Sequence, residues 1–167
     1  MIAPPSALVD ALKPWSDFYG QSKLTETAVV FAHVGGLLLG GGLAVASDRA
    51  TLRALALPVS ERVLHRHELA AVHRWVLAGL ALIVVSGLVL VSSDVETFWG
   101  SPIYWTKMAI VAALLVNGFL ITRAERTLAR DASETSAGWR ALRRTAIASL
   151  GLWFLITALG IALVNFS

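Results

Sequence analysis

One histidine stands inside a long uncharged run. In "TETAVVFAHVGGLLLGGG", His33 belongs to a stretch of 21 residues without a charge between Glu26 and Asp48. Imidazole titrates near neutrality and ligates metals when neutral, and an ionisable side chain at membrane depth marks a functional site by default. The chemistry that suits a single desolvated imidazole is axial ligation of a tetrapyrrole, either a haem or a magnesium chlorin. The structural alternative is an imidazole that hydrogen-bonds a neighbouring helix. Gly36 and Gly40 follow His33 at i+3 and i+7, so a helix shows the ring and a glycine groove on one face. Such a groove serves close helix packing, its commoner use, or leaves room for a flat ring. Lys107 is the fourth candidate for this cofactor-binding site. It is expected to snorkel to the surface, with a place beside His33 as the second option.

The other histidines do not complete a ligand pair. His73 is the nearest candidate for a second axial ligand, but it differs from His33 in depth by about 20 Å at the helical rise per residue. One iron cannot bridge that distance, so a tetrapyrrole here is five-coordinate, shares a ligand with another chain, or is a chlorin. On a helix His65 and His67 point to nearly opposite sides, and His65 and His73 are two turns apart, so the metal at this group, if any, stays unknown. The chain has no cysteine, which removes disulfides, thiolate zinc sites, iron–sulfur clusters and cysteine nucleophiles. Met1 and Met108 are isolated, leaving no soft ligand set for Cu(I). No phosphate-cradling loop, nucleophile elbow or HExxH is present, and a non-enzymatic protein is expected.

The elements that must position these residues follow from where charge is missing. Of 167 residues, 56% are hydrophobic and 15% charged, and the mean hydropathy is +0.69. An ordinary soluble domain has about a quarter of its residues charged. Besides the first run, 19 uncharged residues separate Arg74 from Asp94, 15 separate Lys107 from Arg123, and 23 follow Arg144. About 20 apolar residues of helix cross a bilayer core. The chain therefore reads as all-α, an up-and-down bundle of four transmembrane helices near Thr25–Ser47, Arg74–Ser93, Tyr104–Thr122 and Arg144–Phe166. Residues 1–23 form a separate surface segment, either an amphipathic helix or a frayed tail, and residues 24–167 form the membrane domain. The second helix is expected to start early, with Ser60 as its N-cap. Asn117 and Trp153 are expected to satisfy their polar groups across helix interfaces.

Orientation is read from the basic residues. All eleven arginines lie around the first and third connections, where with six acids they sum to +5; the opposite side carries three lysines and five acids, for −2. The positive-inside rule places both termini on the non-cytoplasmic side. The arginine-rich loops suit anionic lipid head groups better than nucleic acid.

Several segments resemble a known family: His33 with its glycine-rich helix, "HRWVLAGLALIVVSGLVL", "SPIYWTKMAIVAALLVNGFL" and "LRRTAIASLGLWFLITALG". Together they are similar to the four-helix membrane module of the copper-resistance D (CopD) family and its cytochrome b-like relatives, over about Thr25 to Val164. The resemblance implies a bacterial inner-membrane protein that handles haem or metal, with His33 and Lys107 at recurrent positions. The combined expectation is a small subunit of a larger membrane complex, or of a homo-oligomer, that binds a tetrapyrrole through His33 for electron or energy transfer. A purely structural accessory subunit is the alternative, and copper transport is the third reading.

Overall fold

The computed structural model describes residues 3–131, 133 and 137–166; the side chains of residues 63–71 and 73 fall outside that description. Among the described residues the regular structure is helical. Helix α1 spans Ser6–Gln21, α2 Lys23–Gly36 and α3 Leu43–Ala54, with a π-helical turn at Leu37–Gly42 joining α2 to α3 in one continuous rod. Helix α4 spans Val59–Ser93, α5 Val95–Gly100, α6 Pro102–Arg130 and α7 Ala137–Phe166. Four segments are long and apolar enough to cross a membrane: Lys23–Ala54, Arg74–Ser93, Pro102–Arg130 and Ala137–Phe166. This is a multi-pass membrane architecture.

Local sequence sets the boundaries. The Ser22 hydroxyl accepts a hydrogen bond from the Thr25 amide at 3.3 Å and starts α2. The Asp94 carboxylate accepts from Thr97 and starts α5. The Ser101 hydroxyl accepts from Tyr104 with Pro102 at the first helical position of α6, where a missing N–H costs nothing. Helix α4 begins on Pro58 rather than on Ser60, which is already helical; φ of proline is preset for a helix start. Residues 6–21, expected to be helix or frayed tail, form α1, and Ser16 donates from its hydroxyl to the Ser93 carbonyl at 2.7 Å, tying α1 to the end of α4.

The helices associate as two pairs. The first rod (α2, the π-helical turn and α3) runs antiparallel to α4, and α6 runs antiparallel to α7. The pairs join through α3, which packs on both α4 and α7, whereas α2 packs on α4 and α1 but not closely on α6 or α7. The start of α2, the end of α4, the start of α6 and the end of α7 share one end of the bundle, the terminal end; the end of α3, the end of α6 and the start of α7, with Arg53, Arg126 and Arg140, lie at the other, the arginine end.

Glycine explains the close approach within the first pair. A Cβ on Gly36 would stand 3.0 Å from Gly79 O and from Ile83, one on Gly40 would stand 3.1 Å from the Gly79 carbonyl carbon, and one on Gly79 would collide with the Gly40 backbone. Backbones touch where side chains are absent. One residue further along, Gly41 faces the other way, toward the Trp153 ring of α7, at 2.9 Å from an added Cβ. Two successive buried residues can serve two different neighbours because adjacent positions on a helix point about 100° apart. Trp153, Ala44, Leu114 and Ile156 form one core there, and Ala124, Leu128, Trp139 and Leu142 form a second toward the arginine end.

Candidate functional site at the terminal end

His33 lies on α2 one turn before the π-helical segment, facing α4. Its Nδ1 is 3.0 Å from the Ser86 hydroxyl oxygen. The Ser86 Oγ is in turn 2.5 Å from the Leu82 carbonyl one turn back, and 3.3 Å from that of Ile83. A hydroxyl has one proton to give, and the short contact takes it for Leu82. The oxygen is then an acceptor toward His33, so Nδ1 carries the imidazole proton. This assigns the lone pair to Nε2, while the Ile83 carbonyl also lies within hydrogen-bonding reach of the ring. A histidine fixed through one nitrogen by an outer partner, with the other nitrogen bare, is the arrangement metal-binding imidazoles use.

The ring is also held sterically. Gly87 sits against it, and a Cβ there would stand 3.3 Å from His33 Cε1. Gly36 and Gly40 do not border open space: Gly79 and Ile83 take up that groove. α2 makes no close contact with α6 or α7, so a ligand would have to approach His33 from the side away from α4.

Lys107 lies in the second turn of α6. Instead of snorkelling outward it is partly buried, with Nζ 3.8 Å from the Cβ position of Gly160 on α7. Among the described residues the ion pairs are Lys13–Asp17 and Lys23–Glu26, both on the surface, so Lys107 has no carboxylate partner there. The terminal end thus carries the His33 imidazole on α2 and, on α6, a lysine with no carboxylate partner among the described residues.

Thr157 donates to the Trp153 carbonyl and is spent within α7. Ala109 and Ala112 are exposed on α6, away from His33. Asn117 donates from Nδ2 to the Thr145 carbonyl of α7 at 3.0 Å, the cross-helix satisfaction expected of it. The side chains of His65, His67 and His73 lie outside the described residues, and among those described no three histidine, aspartate or glutamate side chains cluster to hold a metal ion. Trp99, Tyr104 and Trp105 stack edge-on at the terminal end, with ring centroids 5.3 to 5.4 Å apart.

Two residues escaped the sequence reading. Gly79 is the counterpart of Gly36 and Gly40, signalled only by being the small residue at the matching depth of α4. Asp48 is the second. It closes the first uncharged run, and sequence assigns it to the loop, but it is buried between α3 and α7. Ala44, Asp48 and Thr51 share one helix face at i, i+4 and i+7, a pattern of small and polar residues that could have revealed it. Comparison with protein-family models, with curated proteins and with solved structures finds no match.

Proposed function

We propose that this protein is a non-enzymatic subunit of a membrane complex that holds a tetrapyrrole at its terminal end, with His33 Nε2 as the axial ligand. Lys107, on α6 at the same end, suits a carboxylate substituent of such a ring. The observation that carries the reading is the Leu82–Ser86–His33 chain, which fixes the imidazole and leaves one nitrogen bare. A bound tetrapyrrole supplies one-electron or excitation transfer. The protein's own residues orient the ligand, exclude water through the α2–α4 contact, and balance charge. The resemblance to the CopD and cytochrome b-like modules supports the same assignment, as does the arginine asymmetry for termini on the non-cytoplasmic face of a bacterial inner membrane. The lack of soft ligands argues against copper transport.

The competing reading is an accessory subunit in which His33 only bonds Ser86; the glycine contact of α2 with α4 favours it, since that contact is structural whatever the ligand. Absorption spectra separate the two. Protein isolated gently with its native partners is expected to show visible bands that disappear in His33→Ala and persist in His73→Ala. A colourless preparation, or bands that survive His33→Ala, overturns the proposal in favour of the accessory subunit.

A further inference from the structure

The bundle also contains a buried carboxyl that the terminal-end site does not use. Asp48 is 8% exposed, on the face of α3 that packs against α7. Its surroundings are polar but uncharged. Ser149 of α7, 3% exposed, lies close enough to hydrogen-bond the carboxyl. Thr51 is one turn along α3 and Thr145 one turn along α7, both buried. The Asp48 Oδ2 atom is fully enclosed and has no hydrogen-bond partner. Among the described residues no lysine or arginine pairs with it, although Arg49 is its neighbour in sequence and lies exposed.

An enclosed carboxylate oxygen with no donor and no counter-charge is not a stable resting arrangement. Buried polar atoms are almost always satisfied, and an uncompensated charge costs several kcal/mol inside a protein or membrane. A serine hydroxyl bonds the group but cannot neutralise it. Thr145 cannot help, because its hydroxyl is committed to the Ala141 and Leu142 carbonyls of its own helix. What is missing is a positive charge at Oδ2, and no described side chain brings one.

We infer that Asp48, with Ser149, is a binding site for a small monovalent cation, a proton or a sodium ion, at the α3–α7 junction. Either occupant supplies the same thing, a positive centre on Oδ2. The position gives the site a consequence. The α3–α7 contact is the seam that joins the two helix pairs, so loading or emptying Asp48 alters the charge within that seam. The inference does not depend on any ligand at His33, which is about 20 Å away at the helical rise per residue.

Dicyclohexylcarbodiimide tests it on the wild-type protein in lipid nanodiscs. The reagent partitions into apolar regions and reacts with a carboxyl that carries its proton; the acid oxygen adds to the carbodiimide carbon, the proton moves to nitrogen, and the adduct rearranges to a stable N-acylurea. Peptide mass mapping is expected to find the adduct at Asp48 in preference to the exposed Asp17, Glu26 and Asp94, and Asp48→Asn is expected to lose it. The adduct is then measured again with excess sodium chloride, using choline chloride as control. Protection by sodium identifies sodium as the competing occupant; no protection leaves the proton as occupant; both support the site. Labelling of Asp48 no greater than that of the exposed carboxylates overturns it, and since the map is made on the wild-type chain, a variant that fails to fold does not decide the matter.

Discussion

The two ends of this bundle are built on opposite rules. At the arginine end α3, α6 and α7 interlock: Leu128 is 1% exposed, Ala146 1% and Ala124 3%, and Asn117 spans the α6–α7 contact with a hydrogen bond. At the terminal end α2 packs on α4 and α1 but not closely on α6 or α7, and the polar residues there, His33 and Lys107, have no carboxylate partner among the described residues. A membrane bundle gains little from burying apolar surface in apolar lipid, so close packing and hydrogen bonds hold its helices. With the exception of Asp48, the arginine end spends its buried polar groups on that task. The terminal end leaves His33 and Lys107 to one side of it, and that difference is what supports the proposed ligand site there.

The contrast can be broken at its tightest point. Gly79→Leu places a side chain inside the Gly40 backbone, so the α2–α4 pair should separate and folded yield in detergent should collapse; Gly79→Ala should cost about 1–3 kcal/mol, the usual range for overpacking. Gly42→Ala and Gly151→Ala, where nothing lies within 4 Å of an added Cβ, should leave thermal unfolding close to wild type. Equal effects at all of these sites would erase the packing argument. Next in size, Asn117→Ala removes a buried cross-helix bond and should lower stability by about 1–2 kcal/mol. Asn165→Ala, whose amide bonds only its own exposed helix, should be neutral by the same unfolding measurement.

Smaller still is the effect expected of Gly87→Ala. Its methyl group meets His33 Cε1 at 3.3 Å, so the ring must shift by a few tenths of an ångström while the helix pair stays intact. Unfolding should be almost unchanged, and any visible bands should move in position without loss of intensity. A change in stability with unmoved bands would show that the imidazole matters to packing alone. The smallest structural disturbance tests orientation. Cysteine at Ser6 should react with an impermeant thiol reagent added to whole cells, and cysteine at Ser133 should not; the reverse pattern would invert the topology.

Much of this architecture is legible without coordinates. The uncharged runs mark the four spans because hydrocarbon excludes charge, and their observed ends differ mainly where helices continue into water, as α4 does from Val59 and α6 does to Arg130. The depth of His33 follows from counting residues. What counting cannot supply is the direction in which a side chain points. Lys107 has a stem long enough to reach the surface or the interior, and its choice depends on Gly160 of α7, a residue more than fifty positions away. Asp48 ends an uncharged run, so sequence assigns it to the loop, but the rod continues to Ala54 and α7 covers it. The groove of Gly36 and Gly40 admits a ring or a helix equally well until Gly79 is seen inside it.

The central claim is that His33 presents a bare Nε2 to a ligand, and chemical rescue tests it most directly. His33→Gly leaves a space the size of the missing ring beside Ser86 and Gly87. Free imidazole added to the purified variant, together with the tetrapyrrole extracted from the wild-type complex, is expected to restore the wild-type absorption bands, while the variant without imidazole stays unliganded. Bands that form equally well without imidazole, or that imidazole leaves unrestored in a variant of unchanged stability, would show that His33 is a packing residue and not the ligand.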